Sequence, residues 1–440
     1  MRGSGFHLLL FARYPVPGEA KTRLIPAIGA RNAALLHRRM AEHAAGAARS
    51  AREAGGIAIT VCCTGARARN FRAWLGEDLR YAPQPEGDLG ARLRQAFGAA
   101  FSGGAGGALA VGADVPDLSA DLLLRAVDGL KGRDVVLGPA ADGGYYLIGT
   151  NRFRPELFGN VDWGTGNVCR QTREAIRRHG MTSLELPTLR DVDRPEDLAG
   201  IRGDPRFMEA FGEKARISVV VPTRDEAPVL ERTLEAASRE EGVEILVSDG
   251  GSRDGTREIA ARAGAAVLIV SGGRAAQMNA GAAAAGGRIL LFLHADTILP
   301  SGYGDLVRRA LEEPATVAGA FRFRTDGSGV AIRVAERVTN FRSAVLRWPY
   351  GDQGLFLEKR VFEEAGGFAP LPVMEDFELV RRLRRRGPVV TLPEPILTSA
   401  RRWKRLGVVR TTLRNQCMIA GYLAGVSPER LYRFYYPKER

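Results

Sequence analysis

Short apolar segments alternate with helix-forming segments along most of the chain, and this alternation limits the fold more than any other feature. Between residues 6 and about 200, five runs have the apolar character of β-strands: FHLLLFA, IAITVCC, GALAVGA, DVVLGPA and YYLIGT. Alanine- and arginine-rich segments with helical character separate these runs. This order predicts a mostly parallel sheet covered by helices.

The same plan begins again at Arg216, after a stretch that breaks the pattern. The new strand candidates are ISVVVPT, VEILVSDGG, AAVLIVS and RILLFLHAD. A chain of 440 residues is too long for one ordinary core. We therefore predict an α/β protein with two domains, residues 1–205 and 216–440, joined by a linker at 206–215, with a basic helical tail at the end of the second domain.

Each domain contains a strand that ends at an aspartate, in VGADVP at 111–116 and in FLHADT at 292–297. In open α/β sheets, ligands bind beyond the carboxyl ends of the strands. Asp114 and Asp296 therefore lie where chemistry is expected.

Composition restricts the class of protein. A hydrophobic content of 45% with 26% charged residues indicates a soluble globular chain, and no stretch approaches the roughly 20 apolar residues that span a bilayer. The first residues are interpreted as a strand, not as a signal peptide. The four cysteines show neither metal nor disulfide spacing, which favours a reducing cytoplasm.

The formal net charge of +13 would suit nucleic acid, an anionic membrane or a phosphate-rich substrate, although a solvated arginine-rich surface explains most of it. Basic and aromatic residues are concentrated in residues 381–440. This segment either docks on an anionic membrane or packs back on the second domain as a helix. Nucleic-acid binding is not expected, because no recognition motif accompanies the charge.

The second domain carries an ordered set of motifs: SVVVPTRDE, VSDGGSRDGT, SGGRAAQMNAG, FLHADT, GDQGLF, GGF and PVMEDFELVRRLRRRG. In this order they resemble glycosyltransferase family 2 over nearly all of residues 216–410. The HADT variant, GDQGLF and TSARRW are similar to the bacterial branch associated with arsenosugar biosynthesis. The resemblance implies a GT-A fold, a nucleotide-sugar donor, a small or lipid-linked acceptor, and an inverting hexosyl transfer that depends on Mg²⁺ or Mn²⁺.

The resemblance also assigns roles to residues. Asp296 matches the position that binds the metal, and Asp376, next to Glu375, matches the catalytic base. Contacts with the nucleotide sugar are implied for Pro222, Thr223, Asp225, Glu226, Asp249, Arg274, Gln277, Asn279, His294, Arg402 and Trp403. TSARRW lacks the glutamine found in processive family members, so polymer synthesis is not expected.

Physical arguments leave alternatives at several of these positions. Asp249 would accept hydrogen bonds from a ribose or a base, but an Asp before glycines also caps turns. Arg274 would pair with the diphosphate, or is one surface arginine among many. His294 would contact metal or ribose, or is a strand histidine without function. The Glu375–Asp376 pair also suits the N-terminal dipole of a helix.

The first domain has its own motif set, FARYPVPGEAKTRL, PEGDLGARL, VGADVPDL, GPAADGGYYLIG, DWGT and LRDVDRPEDL. It resembles the companion family of the arsenosugar-associated transferases and, more distantly, guanylyltransferases. This implies a second GT-A-like domain. Asp114 and Asp193 would clamp Mg²⁺ on a triphosphate, and nucleotide contacts are implied for Lys21, Arg23, Asp88 and Gly143.

We therefore predict a cytoplasmic glycosyltransferase with an N-terminal nucleotide-binding domain, in peripheral contact with the inner membrane face if the basic tail docks there. The alternative is a bifunctional protein, or one whose main activity is nucleotidyl transfer by the first domain. A third possibility is that the first domain serves only for binding or scaffolding, because fold analogy does not establish activity.

Overall fold

The computed structural model describes residues 5–436, apart from the side chains of Arg402 and Arg405. The chain divides into two compact units, Met1–Glu213 and Lys214–Arg440, called unit 1 and unit 2 below. Each has its own sheet and its own apolar core.

Unit 1 contains seven strands and five α-helices among its described residues. The strands are β1 (Phe6–Arg13), β2 (Ala58–Thr64), β3 (Arg80–Pro83), β4 (Gly107–Gly112), β5 (Val135–Pro139), β6 (Tyr145–Thr150) and β7 (Ser183–Glu185). The helices are α1 (Ile25–Gly55), α2 (Ala68–Leu75), α3 (Leu89–Ser102), α4 (Ala120–Gly132) and α5 (Val168–Arg178). Short 3₁₀ turns cover Thr22–Leu24, Pro155–Phe158, Pro195–Gly200 and Met208–Phe211.

The strand order of unit 1 is β3-β2-β1-β4-β6-β5-β7, with β6 antiparallel to both of its neighbours and the other pairs parallel. Helix α1 presents a row of fully buried alanines, including Ala41, Ala44, Ala45 and Ala48. Small side chains allow a long helix to approach the sheet closely, since interiors are close-packed.

The predicted linker 206–215 is crossed by the boundary between the units, and its first part belongs to the core of unit 1. Phe207 and Ala210 are fully buried in a cluster that includes Leu36 and Met40 of α1. Burial of a phenylalanine favours the folded state by about 1.5–3 kcal/mol. This part of the chain is therefore attached to unit 1 and does not act as a free connector.

Unit 2 has eight strands and ten α-helices among its described residues. The strands are β8 (Ile217–Thr223), β9 (Val243–Asp249), β10 (Ala266–Ile269), β11 (Ile289–Phe292), β12 (Thr297–Ile298), β13 (Ala318–Thr325), β14 (Leu355–Glu358) and β15 (Val389–Thr398). The helices are α6 (Ala227–Ala237), α7 (Thr256–Arg262), α8 (Arg274–Ala284), α9 (Tyr303–Glu312), α10 (Val330–Val345), α11 (Lys359–Glu364), α12 (Glu375–Arg386), α13 (Arg401–Leu406), α14 (Val408–Leu423) and α15 (Pro428–Tyr435). One 3₁₀ turn covers Gly351–Gln353.

The two sheets share one topology. The order in unit 2 is β10-β9-β8-β11-β14-β13-β15-β12, which repeats the order of unit 1 and adds the two-residue β12 at the edge. In both units the fifth strand runs antiparallel to its two neighbours. The predicted fold class, α/β with two GT-A-like domains in tandem, is confirmed. Asp114 and Asp296 come after β4 and β11, which are equivalent strands in this order.

Within residues 5–436, no helix is both long enough and apolar enough to cross a bilayer. The basic C-terminal segment forms α13, α14 and α15. Leu431 of α15 and Met418 of α14 are buried against Val373, which lies just before α12. The tail therefore packs back on unit 2, as one of its two predicted arrangements required, and docking of its outer face on a membrane stays a prediction.

A test of the unit 2 core comes from the contact between β13 and β14. Gly319 is paired with Phe356, and a Cβ at position 319 would lie 2.3 Å from the Phe356 ring. We expect Gly319→Ala to lower the unfolding free energy of unit 2 by about 1–3 kcal/mol, because the ring is held in a filled core. Denaturant unfolding measures this change. Gly286→Ala is the control, since its Cβ would make only ordinary contacts; equal stability of the two variants would contradict this packing.

Candidate functional site

Several of the predicted site residues of unit 2 lie at the carboxyl ends of β8, β9 and β11. Thr223 ends β8 and Asp249 ends β9, and the two residues are paired in the sheet. His294 and Asp296 come directly after β11. Because these three strands are neighbours, the motifs that are far apart in the chain meet at one edge of the sheet.

Asp249 is fully buried and organises the glycine-rich turn after β9. Its carboxylate accepts hydrogen bonds from the backbone N–H groups of Gly251 (3.1 Å) and Ser252 (2.9 Å), from Thr223 Oγ1 (3.2 Å) and from the Ser252 hydroxyl. Burial opposes ionisation, but these donors outweigh it and lower the pKa of Asp249. The structure thus gives Asp249 the turn-capping role, and contact with nucleotide stays a prediction.

Gln277 and Asn279, on α8, hold the backbone of the site. Gln277 Nε2 donates to the carbonyls of Thr223 and Ser248, both at 2.7 Å. The side chain of Asn279 donates to Phe368 O at 2.8 Å and accepts from Phe368 N at 2.9 Å. These amides fix strand ends and the GGF loop, so their effect on a bound donor would be through positioning.

A small pocket brings four predicted residues together. Its lining includes Pro222, Arg274, Met278, Phe292, Leu293, His294, Gly351, Leu355, Phe368 and Asp376. Residues from β8, α8, the end of β11 and the start of α12 meet here. Residues separated by more than 150 positions in the sequence therefore share one wall.

Arg274 is the central charge of this pocket. One of its terminal nitrogens donates to His294 Nε2 at 2.5 Å, and its Nε lies 3.3 Å from Glu375 Oε1. A guanidinium only donates, so His294 Nε2 is the acceptor and the proton of the neutral ring is on Nδ1. The lone pair that would bind a metal through Nε2 is thus used by Arg274. Burial, and then the Arg274 charge, hold the pKa of His294 well below its usual range.

The acidic pair begins α12. Met374 precedes the helix in the left-handed region (φ 67°), which turns the chain so that Glu375 and Asp376 form the first helical turn. Asp376 accepts from Gly351 N through Oδ2 and from Phe377 N through Oδ1, both at 2.7 Å. Burial raises the pKa of Glu375, while Arg274 opposes the rise. Asp376 therefore lines the pocket with its orientation fixed by two backbone donors.

Asp296 and Glu226 both pair with the guanidinium of Arg401. A terminal nitrogen of Arg401 lies 3.1 Å from Asp296 Oδ2 and 3.0 Å from Glu226 Oε2. Asp225, beside Glu226, has φ of 54° and accepts from Arg253 N at 2.8 Å. Arg401 therefore balances the carboxylate that was predicted to bind metal.

Four polar atoms between residues 342 and 352 have no hydrogen-bond partner among the described residues, and two of their residues, Tyr350 and Asp352, interact electrostatically with Asp376. They are buried and belong to Arg342 (Nη2), Trp348 (Nε1), Tyr350 (OH) and Asp352 (Oδ1). Burial, with smaller contributions from Asp376 and Asp296, raises the pKa of Asp352 to about 6, although Arg342 and Arg274 oppose the rise. Sequence reasoning missed these residues. GDQGLF was recognised as a motif, but nothing in its spacing indicates that Asp352 faces Asp376.

Trp403 of the Arg-Trp motif is not among the described residues that line the pocket. Trp403 is half-buried and packs on Phe323 of β13, with ring centroids 5.9 Å apart. The side chain of Arg402 lies outside the described residues. The predicted closure of these residues over a diphosphate stays a prediction.

In unit 1, Lys21 lies between the two predicted metal ligands. Its Nζ is 3.2 Å from Asp114 Oδ2 and 3.4 Å from Asp193 Oδ1, and Arg23 lies 2.6 Å from Asp193 Oδ2. Lys21 has φ of 49°, which directs the chain into the 3₁₀ turn Thr22–Leu24. The ammonium lies between the two carboxylates that were predicted to hold a metal, and metal binding by Asp114 and Asp193 stays a prediction.

The charges in this cluster perturb one another. Burial acts to lower the pKa of Lys21, but Asp114 and Asp193 outweigh it and the pKa is raised. The Lys21 charge holds the pKa of Asp114 below its usual range. Burial, followed by Asp142 and Asp114, raises the pKa of Asp191 to about 6. Sequence reasoning missed Asp191, since the motif LRDVDRPEDL offers four acids without a rule for choosing between them.

The other two predicted residues of unit 1 have structural contacts. Asp88 caps α3 by accepting from Ala91 N at 2.8 Å. Gly143 has φ of 90°, and a Cβ there would lie 2.2 Å from Gly166 O. Only glycine allows the two loops to approach so closely. Within the described residues, no group of three or more His, Cys, Asp or Glu side chains is arranged to hold a metal by itself.

A pH-dependent test comes from the Lys21 cluster. The pKa of Asp114 is lowered from 3.8 and that of Lys21 is raised from 10.5, so their mutual stabilisation is complete between these values. It is lost as the pH falls through the lowered pKa of Asp114. We expect Lys21→Met to lower the unfolding free energy of unit 1 by about 1–3 kcal/mol at neutral pH, less than for a fully buried pair because the carboxylates are 40% and 38% exposed.

The difference between wild type and Lys21→Met should shrink at about pH 3, which urea unfolding at the two pH values would measure. Lys131→Met is the control, because Lys131 pairs with Asp128 on the open surface (64% and 79% exposed). If Lys21→Met lowered the unfolding free energy no more than this control does, the Lys21 cluster would contribute nothing to stability.

Comparison with known families places a match in each unit. Residues 218–373 match the model described as glycosyl transferase family 2. Residues 47–165 match the model described as "Uncharacterized protein conserved in bacteria (DUF2064)". The first match ends two residues before Glu375, and the second covers Asp114 but neither Lys21 nor Asp193. No curated protein matches the chain.

Three solved structures with similarity to this chain are described as a transferase or a synthase. A Desulfovibrio desulfuricans G20 protein described as a nucleotide-diphospho-sugar transferase is 32% identical, over 46% of this chain and 92% of that one (TM-score 0.42). Glucosyl-3-phosphoglycerate synthase from Mycobacterium tuberculosis, solved with Mn²⁺ and UDP, is 22% identical over 46% of this chain and 78% of that one (TM-score 0.34). A Pyrobaculum calidifontis mannosyltransferase, solved with GDP-Man and Mn²⁺, is 21% identical over 42% of this chain and 57% of that one (TM-score 0.35).

The family matches fall within the two units and in the predicted order. The family 2 match covers the strand ends that carry Thr223, Asp249 and Asp296, and it supports a glycosyltransferase. The chain is therefore similar to the DUF2064 model over part of unit 1 and to the glycosyl transferase family 2 model over part of unit 2.

Proposed function

We propose that unit 2 transfers a hexosyl group from a nucleoside-diphosphate sugar to an acceptor hydroxyl, with inversion at the anomeric carbon. The single observation that carries the proposal is the pocket in which Asp376 faces the guanidinium of Arg274. A base and a cation on one wall are what a single displacement requires. The base activates the nucleophile, and the cation balances the charge of the departing diphosphate.

Each residue has a defined task in this proposal. Asp376 accepts the proton of the acceptor hydroxyl while that oxygen bonds to the anomeric carbon and the bond to the diphosphate oxygen breaks. Its two backbone hydrogen bonds keep a lone pair oriented toward the pocket. Arg274 binds phosphate oxygens, and His294 holds Arg274 by accepting one of its N–H groups.

The polar atoms without partners support an acceptor site beside Asp376. Arg342, Trp348 and Tyr350 offer buried donors, and Asp352 offers a buried acceptor. Buried polar groups are rarely left without hydrogen bonds, because each costs about 1–3 kcal/mol. A hydroxylated acceptor would supply the missing partners. The choice between small and lipid-linked acceptors, and membership of the arsenosugar-associated branch, stay proposals based on the motifs.

A divalent cation fits the donor chemistry of unit 2. Asp296 and Asp352 present hard carboxylate oxygens, and one oxygen of Asp352 is buried without a partner among the described residues. Asp296 would hold the ion together with diphosphate oxygens of the donor. When bound, it would offset negative charge on the leaving diphosphate. Arg401 balances Asp296 in the described structure and would exchange this contact for one with the donor.

The base assignment is tested with Asp376→Asn. We expect transfer to fall by about 10²–10⁴-fold, because the amide cannot accept the hydroxyl proton, while donor affinity stays within a few-fold. Product formation from a panel of nucleotide sugars and calorimetric donor binding measure the two quantities. Asp305→Asn, a half-exposed position on α9, is the control. Normal turnover of Asp376→Asn would show that another group is the base.

The metal assignment is tested separately from catalysis. We expect Asp296→Ala to lower Mn²⁺ affinity at least about tenfold in the presence of a nucleoside diphosphate, because a direct carboxylate ligand is lost. Electron paramagnetic resonance of free Mn²⁺ measures binding without turnover. Asp114→Ala, in unit 1, should leave both this affinity and sugar transfer unchanged. Loss of transfer in Asp114→Ala but not in Asp296→Ala would move the activity to unit 1.

A further inference from the structure

Helix α10 leaves an apolar row uncovered on unit 2. Val330, Val334, Val338, Phe341 and Val345 are 82%, 49%, 48%, 63% and 59% exposed. Their spacing of three or four residues places them on one side of the helix. Ile332 and Ala335, on the other side, are buried. The helix is therefore apolar on the face that it turns away from the core.

Helix α14 packs beside α10 and also has an exposed apolar row. Val409, Leu413 and Leu423 are 67%, 60% and 52% exposed, and Cys417 continues the row between them. Met418 and Ile419 are buried on the opposite side. Exposed apolar patches of this kind mark surfaces that bind a partner or a membrane. We call the two rows together the α10–α14 face.

The charged residues of α13 and α14 are all basic, and α10 has a single acid. No Asp or Glu occurs between Glu394 and Glu429, an interval with six Arg and Lys residues that includes all of α13 and α14. The only acid of α10, Glu336, is buried. It pairs with Arg333 (2.7 Å) and accepts from the N–H and hydroxyl of Thr325 (2.8 and 2.9 Å). Its negative charge is therefore paired inside unit 2 and is not presented on the surface of α10.

A basic cavity adjoins α10. Its volume is about 300 Å³, and it is lined by Arg322, Phe323, Arg324, Arg333, Glu336, Arg337, Asn340, Pro393 and Pro395. Arg322, Arg324 and Arg337 have no acidic partner among the residues that the structure describes. Three such guanidinium groups around a cavity of this size are suited to a phosphate group.

From these observations we propose that the α10–α14 face docks unit 2 on an anionic membrane, with lipid phosphates in the basic cavity and the apolar rows in the acyl boundary. Nucleic acid would use the arginines but would leave the valines and Phe341 exposed to water. A second copy of this chain would bury the apolar rows but would bring like charges together. An anionic lipid surface satisfies both the charge and the apolar area.

The proposal does not rest on the transferase activity, and it is tested by binding alone. The full-length protein is sedimented with vesicles of phosphatidylglycerol and phosphatidylcholine, and with vesicles of phosphatidylcholine only. We expect binding to the anionic vesicles, weakening as salt is raised, and little binding to the neutral ones. Excess inorganic phosphate should compete weakly, because it cannot occupy the apolar rows.

Two variants separate the contributions of the face. Val338→Glu with Phe341→Glu should lower vesicle partitioning at least about tenfold, since it removes apolar contacts and adds like charge. Arg322→Gln with Arg324→Gln should remove most of the preference for anionic vesicles. Ile269→Glu is the control, because Ile269 is 71% exposed on β10 and outside the face. Circular dichroism spectra and thermal midpoints check that all variants fold.

Three outcomes would overturn the proposal. The first is absence of binding to anionic vesicles at low salt. The second is binding that the variants on α10 leave unchanged while Ile269→Glu alters it. The third is a stable dimer, found by analytical ultracentrifugation without lipid, that Val338→Glu with Phe341→Glu dissociates. The third outcome would assign the face to a second copy of the chain.

Discussion

Electrostatic balance at the carboxyl edge of each sheet is the constraint on which the two candidate sites depend. Parallel strands deliver several carboxylates to this edge, where they would repel one another. In unit 1, Lys21 lies between Asp114 and Asp193. In unit 2, Arg401 joins Asp296 to Glu226, and Arg274 lies beside Glu375. Each acidic edge is thus held together by a basic side chain from a distant segment.

Features that depend on local sequence could be predicted, whereas features that depend on contacts between distant segments could not. Strands such as β1, β4, β8 and β11 are apolar runs with turn residues after them, so their existence and the aspartates beyond them were predictable. Strand β7 has three exposed residues and no such pattern. The pairing of Lys21 with Asp193 spans 172 residues. No spacing rule connects residues so far apart, because the fold alone brings them together.

The order of strands also shows how two segments without repeated sequence can have equivalent sites. Packing needs only an apolar run of suitable length at each strand, so β4 and β11 resemble each other only in their apolar character. The chemistry depends on the residues that come after each strand. Unit 1 places Asp114 two residues after β4, whereas unit 2 places His294 and then Asp296 after β11. Asp352 and Asp191 were not predicted, because their properties arise from burial and neighbouring charges.

The left-handed residues have a consequence for local dynamics. Five described residues other than glycine have positive φ, and three of them, Lys21, Asp225 and Met374, adjoin candidate sites. Such conformations cost about 1–2 kcal/mol each and persist only while the surroundings hold them. Loss of the surrounding contacts would therefore release the loops that carry these residues. A bound anion that rigidifies them would slow the exchange of their amide hydrogens before it changed the stability of either core.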